Sequence, residues 1–261
     1  MFPYLNLFGL QVPMYSIMIG LGLVLGVLLA IFRAKRSGLK GEDVFNACLF
    51  AVIGLIVGGK ILYLITIIPW MAENWGRFMS TPQLWIDLLR GGFVFYGGLI
   101  GALLMIGWYV KKFRIPAMQM LDTLMPSVPL AHAFGRIGCF CAGCCYGIPS
   151  PFGFDFSASE VAPHGVTLLP VQLFEAGGNL LLCVILLLVG RRMKKPGLLT
   201  GIYLAGYAVM RFVLEFFRYD AERGGFLGVS TSQWISLLLL PVSAFIIWRA
   251  VHPKPNLNEI L

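Results

Sequence analysis

The sequence predicts an all-α integral membrane protein of about seven transmembrane helices, with its N-terminus outside and its C-terminus in the cytoplasm. Three observations predict it: a composition too poor in charge for a soluble domain, seven apolar runs of spanning length, and basic residues gathered on alternate loops. Of 261 residues, 58% are hydrophobic and 12% charged, with a mean hydropathy of +0.83. A soluble domain is about 45–50% apolar and about 25% charged. So few charges do not cover a water-soluble globule, and so much apolar sequence excludes disorder. The net charge of +8 is therefore read first as topology, and no nucleic-acid partner is expected.

A helical span needs about 20 apolar residues. Such runs lie near 13–32, 44–68, 92–110, 118–139, 170–190, 197–217 and 229–250. The fourth is interrupted by Pro126, Pro129, His132 and Arg136. The first basic residue is Arg33, so the first run lacks the basic n-region of a signal peptide and reads as a span. Arg33, Lys35, Arg36 and Lys40 follow span one, and Lys111, Lys112 and Arg114 follow span three. Arg191, Arg192, Lys194 and Lys195 follow span five, and Arg249 and Lys254 close the chain. These loops share one side, and the positive-inside rule makes it cytoplasmic. The expected organisation is one polytopic domain over 1–251 and a short cytoplasmic tail over 252–261. Residues 69–91 and 140–169 are expected as long outer loops.

Lys60, Arg77, Arg90, Arg136, Arg211, Arg218 and Arg223 lie in spans or on the outer side, where topology gives no reason for them. Ionisable groups inside a membrane are costly and point to function. In span six, Tyr207, Arg211, Glu215 and Arg218 recur four, four and three residues apart, on one helical face. Arg211 and Glu215 are expected to pair, with Arg218 nearer the outer interface. Lys60 lies late in span two and Arg136 ends span four. Gln172 and Glu175 open span five, and Tyr15, Tyr96 and Gln233 open spans one, three and seven. Each alone reads equally as an interfacial anchor or a capped helix end. Together they describe a polar pocket in the outer half of the bilayer with excess positive charge, which suits a phospholipid phosphate.

Two further clusters stand out. Gly91, Gly92, Gly97, Gly98 and Gly101 crowd the outer end of span three, for close approach of either a ligand or a neighbouring helix. Cys139, Cys141, Cys144 and Cys145 fall within GRIGCFCAGCCYG, with His132 and His164 on either side. They read first as a disulfide or packing cluster, second as reactive thiols near Arg136, and third as a metal site. No metal or cofactor is expected.

At these residues the chain resembles the prolipoprotein diacylglyceryl transferase family, along most of its length and in family order. PMYSIMIGLG, with Tyr15, resembles the N-terminal segment carrying a functional tyrosine. GLIVGGKILY resembles the second-span glycine and basic motif, and FYGGLIGA resembles F-H-G-G-L-I-G. GRIGCFCAGCCYG lies over the signature G-R-x-G-N-F-x-N-x-E-x-x-G, and LPVQLFE resembles H-P-x-Q-L-Y-E. YAVMRFVLEFFR and STSQWISL resemble Y-x-x-x-R-F-x-x-E-x-x-R and S-x-x-Q-W-x-S. Arg136, Gly138, Gly147, Arg211, Glu215 and Arg218 match the family pattern. Tyr96 and Leu169 stand where it has histidines, Cys139 and Ala142 where it has asparagines, and Cys144 where it has glutamate.

The resemblance implies transfer of the diacylglyceryl group of phosphatidylglycerol to a lipobox cysteine of a prolipoprotein, in the bacterial cytoplasmic membrane. It implies catalytic roles for Tyr96, Arg136, Arg211 and His132. It implies substrate binding by Tyr15, Lys60, Gly97, Gly98, Gly138, Gly147, Gln172, Glu175, Tyr207, Glu215, Arg218 and Gln233. Arg136 and Arg211 would hold the phosphate, and Arg218 with Glu215 would shape an outer gate or orient those two arginines. Two alternatives remain at this level: a related lipid or acyl transferase with another acceptor that uses Cys139–Cys145, and a membrane thiol oxidoreductase.

Overall fold

The computed structural model describes residues 2–7, 9–159, 161–219 and 225–252. Arg223, Lys254 and the tail beyond His252 lie outside them. A hairpin of β1 (Tyr4–Leu7) and β2 (Leu10–Pro13) precedes α1 (Met14–Ala34). A 3-10 turn over Lys35–Ser37 follows and stops at Gly38, whose φ of 73° is the left-handed conformation that terminates helices. Next come α2 (Gly41–Glu73), α3 (Trp75–Ser80), α4 (Pro82–Arg90) and α5 (Phe95–Lys112). They are followed by α6 (Ala117–Leu124), α7 (Ser127–Ala142) and the pair β3 (Pro149–Asp155) and β4 (Thr167–Leu168). The chain continues with α8 (Val171–Arg192), α9 (Leu198–Glu215), the pair β5 (Gly225–Phe226) and β6 (Val229–Ser230), and α10 (Thr231–Val251).

Five helices among the described residues are long and apolar enough to cross a membrane: α1 with its 3-10 turn, α2, α8, α9 and α10. They match five of the expected runs. The third run forms the 18-residue α5. The fourth is corrected: it is not one helix but α6 and α7, broken at Met125–Pro126, because proline has no N–H to donate and crowds the preceding turn. The expected loop 69–91 is also corrected. It holds the last turn of α2, then α3 and α4, the latter opened by Pro82 at the position proline favours.

Two compact units are present, residues 39–120 and the rest of the chain. In the smaller unit α2 packs on α5. Gly54 and Gly58 face Gly97 and Gly101 so closely that a Cβ on any of the four would overlap the opposite backbone. Gly97 and Gly101 of the glycine run thus serve a helix crossing. Gly101→Val is expected to destabilise the purified protein by about 1–3 kcal/mol through overpacking. Gly107→Val, where a Cβ meets open space, serves as control. Equal melting temperatures for the two variants would contradict the crossing.

In the larger unit α7 packs on α1 and α8, and α9 on α8 and α10. Asp122 ties α6 to the start of α9, accepting from the backbone N of Gly197 at 2.8 Å and from Thr200 N and Oγ1 at 2.9 and 2.7 Å. Arg33, expected as a topology charge, is 6% exposed. Its Nε donates to Thr123 O and its Nη2 to Asp122 O, both at 3.3 Å, which satisfies carbonyls at the end of α6.

Candidate functional site

Glu175 lies one turn into α8 and is fully buried. A buried carboxylate must be paired, because desolvation otherwise costs several kcal/mol. Two segments supply the partners. From α7, Arg136 Nη2 lies 3.0 Å from Glu175 Oε1, and His132, one turn earlier on the same face, places Nε2 at 3.4 Å from that oxygen. From the segment after α9, Arg218 Nη1 lies 3.9 Å from Glu175 Oε2. Arg136 Nε also donates to His132 Nε2 at 3.3 Å. The Tyr207 ring lies 5.6 Å from that of His132 and stacks on Tyr203.

Arg218 is buried with this cluster, its side chain 3% exposed. The pair expected on span six is present: Arg211 Nη2 lies 2.7 Å from Glu215 Oε2. Arg211 Nη2 also donates to Ser232 Oγ at 3.0 Å. Ser232 is held at the start of α10 by a capping box, in which Ser230 Oγ accepts from Gln233 N and Gln233 Oε1 accepts from Ser230 N. Gln233 is thus a helix cap. Arg211 Nη1 is buried with no hydrogen-bond partner among the described residues. A buried N–H of this kind costs about 1–3 kcal/mol until an acceptor meets it. In all, three guanidiniums face two carboxylates, an excess of one positive charge that matches a phosphodiester.

The loop after α7 is stitched between two neighbours. Gly147 N donates to Leu169 O at 2.8 Å, Leu169 N to Ile148 O at 3.0 Å, and Ile148 N to Phe217 O at 3.0 Å. Gly147 pairs with Arg218 as a bridge, which fixes where that guanidinium leaves the backbone. A Cβ at Gly147 would overlap Val171, Phe217 O and Leu169 O, so only glycine fits.

This stitching gathers three of the four clustered cysteines. The Sγ atoms of Cys139, Cys144 and Cys145 lie within 4.8 Å of one another, whereas Cys141 is outside the group. No disulfide joins any of the six cysteines among the described residues. Thiol hydrogen bonds from Cys139 and then Cys144 hold Cys145 below the ordinary thiol pKa, with Arg136 and Arg218 adding attraction against burial. Tyr15 lies within electrostatic reach of the three thiols, and the Cα of Gly138 faces Tyr15 and Met18. Gln172 Nε2 donates to Cys144 O at 2.8 Å. His164 is engaged by Ser159 O at 2.9 Å.

In the smaller unit Tyr96 stands in the first turn of α5, 43% exposed. Gly97 and Gly98 beside it are spent on packing against α2 and Phe93. Lys60, inside α2, donates to the carbonyls of Leu88, Leu89 and Gly91, capping the end of α4. Sequence reasoning missed Ser232 and Asp122. The first had a signal in the STSQW segment, and so did the second, the one acidic residue in the apolar run 118–139.

A family model for prolipoprotein diacylglyceryl transferase matches residues 3–249. The chain is 40% identical over 243 residues to the phosphatidylglycerol–prolipoprotein diacylglyceryl transferase of Clostridium tetani, covering 92% of this chain and 94% of that one. It is 39% identical over 237 residues to the second such transferase of Clostridium perfringens, covering 90% of each. It is 32% identical over 256 residues to that of Clostridioides difficile, covering 98% and 96%.

Proposed function

The chain belongs to the prolipoprotein diacylglyceryl transferase family and is a transferase, and from that premise we propose that it moves the diacylglyceryl group of phosphatidylglycerol to the lipobox cysteine thiol of a prolipoprotein. A thioether forms and glycerol-1-phosphate leaves. The observation that carries this reading is the buried set of Arg136, Arg211 and Arg218 against Glu175 and Glu215, with Arg211 Nη1 lacking a partner.

The reaction is displacement at a carbon that bears a phosphate. Its barrier falls when charge on the departing phosphate is met by donors already in place. Arg211 Nη1 and the Arg136 guanidinium are those donors. Glu175 holds Arg136 and Arg218 in position, and Ser232 and Glu215 hold Arg211. His132 Nε2 is occupied by Arg136, so His132 positions that arginine in the resting site rather than taking the acceptor's proton. Phosphatidylglycerol, the prolipoprotein and the bilayer are the partners.

In this reading seven spans are completed by α5 and by the broken pair α6–α7, with the N-terminus outside. The ends of α7 and α9 and the start of α8 that carry the cluster lie opposite the basic connection Arg191–Lys195, which supports a site in the outer half of the cytoplasmic membrane.

The test is transfer of labelled diacylglyceryl from phosphatidylglycerol to a lipobox peptide by purified protein in nanodiscs. Thioether product with released glycerol phosphate is expected, and its absence from protein that still binds the lipid overturns the acceptor assignment. Tyr96→Phe is expected to lower kcat at least tenfold, about 1.4 kcal/mol. Full activity in that variant would show that Tyr96 is neither base nor required donor.

A further inference from the structure

The thiol trio stands beside the guanidinium cluster, and the transfer chemistry above makes no use of it. A disulfide would join two of these sulfurs and leave the third unexplained, whereas one soft metal ion accounts for all three. Tetrahedral Zn–S bonds of about 2.3 Å put sulfurs about 3.8 Å apart, so thiols within 4.8 Å of one another need to close by only about an ångström. The backbone is shaped to bring them together. Gly143, with φ 72°, ends α7 and turns the chain back after Cys139, and Cys145 itself takes φ 60°. Gln172, 1% exposed, braces the loop through Cys144 O. Its own Oε1 is buried without a hydrogen-bond partner among the described residues.

We propose that Cys139, Cys144 and Cys145 form a zinc site whose fourth coordination position takes the acceptor thiol. The proposal rests on the transfer reading and names how that reaction obtains its nucleophile. A free thiol has a pKa near 8.5, and one that coordinates a metal is deprotonated outright. The acceptor S–H bond breaks, its proton passes to water, and a Zn–S bond forms. The bound sulfur then donates an electron pair to the glyceryl carbon, a C–S bond forms, and the C–O bond breaks. The electron pair leaves on glycerol-1-phosphate, held by Arg136 and Arg211. The product thioether is neutral and a weaker ligand than a thiolate, so it departs and reopens the fourth position. No oxidation occurs at any step. The site supplies a thiolate near neutral pH without a side-chain base, in a chain with Tyr96 where the family pattern has histidine.

The test incubates purified full-length protein with zinc alone, desalts it and measures retained metal. About one zinc per chain is expected in the parent and in Cys48→Ser/Cys183→Ser. At least a tenfold loss is expected in Cys139→Ser/Cys144→Ser/Cys145→Ser, and a smaller loss in Cys144→Ser alone, which guards against misfolding of the triple variant. Cobalt(II) in the parent is expected to show thiolate charge-transfer absorption, with visible bands that shift on adding a lipobox peptide but not its serine analogue. Monodisperse parent that retains no zinc overturns the proposal. So does full-rate transfer after a chelator has stripped the metal, or a disulfide within the trio in freshly isolated protein. Retained zinc with the peptide-dependent cobalt shift supports the site even where no diacylglyceryl product forms; in that case the transfer reading is what fails.

Discussion

Arg136→Ala is expected to lower kcat for diacylglyceryl transfer by about 10²–10³-fold, the usual cost of removing a donor from developing negative charge in a water-poor site. Arg136 is anchored at 3.0 Å to a carboxylate that solvent does not reach, so its guanidinium is pre-positioned and pays no reorganisation at the moment of reaction. Arg136→Lys keeps the charge but loses the planar fork that holds Glu175 and His132 together. It is expected to recover only part of the activity. Both kcat and lipid KM should be measured: a drop confined to KM would make Arg136 a ground-state anchor, and unchanged kcat/KM would end its assignment to the phosphate.

Glu175→Ala is expected to destabilise the protein by about 3–5 kcal/mol, because it leaves the Arg136 and Arg218 charges buried without their shared counter-charge. Glu175→Gln preserves the shape and a hydrogen-bond acceptor, and is expected to fold better while holding both arginines less tightly. Unfolding in denaturing detergent reads the first effect, and transfer rate in the folded Glu175→Gln protein reads the second. If Glu175→Ala unfolds no earlier than the parent, the carboxylate is not the hub that the geometry makes it.

Much of this was visible in the residues. The spacing of Arg211 and Glu215 on a period of 3.6 requires them to be neighbours, and they form an ion pair at 2.7 Å. Intramembrane charge marked Arg136, Arg218 and Glu175 as functional candidates, because lipid penalises every unpaired charge. Periodicity carries no information about contacts between elements, however. Arg218 follows α9 by three residues, and helix geometry extended it to the interface; the strand-like stitching of Gly147 and Ile148 to residues 217–218 turns it inward onto α8. Lys60 reaches the carbonyls ending α4, a contact between elements that periodicity does not encode. The capping box of Ser230 and Gln233, by contrast, is local and legible as S-x-x-Q.

The sequence by itself determined that this is a helical membrane protein with costly charges inside its apolar runs. Hydropathy and charge act residue by residue, and they need no knowledge of the neighbours. Only the tertiary structure decided that Glu175 joins α7 and the segment after α9, that Gly97 and Gly101 are spent on a helix crossing, and that three of four clustered cysteines bring their sulfurs together. Those outcomes depend on backbone turns at Gly143, Cys145 and Gly147 and on close approach between helices, which are set by packing across the chain and not by the order of residues along it.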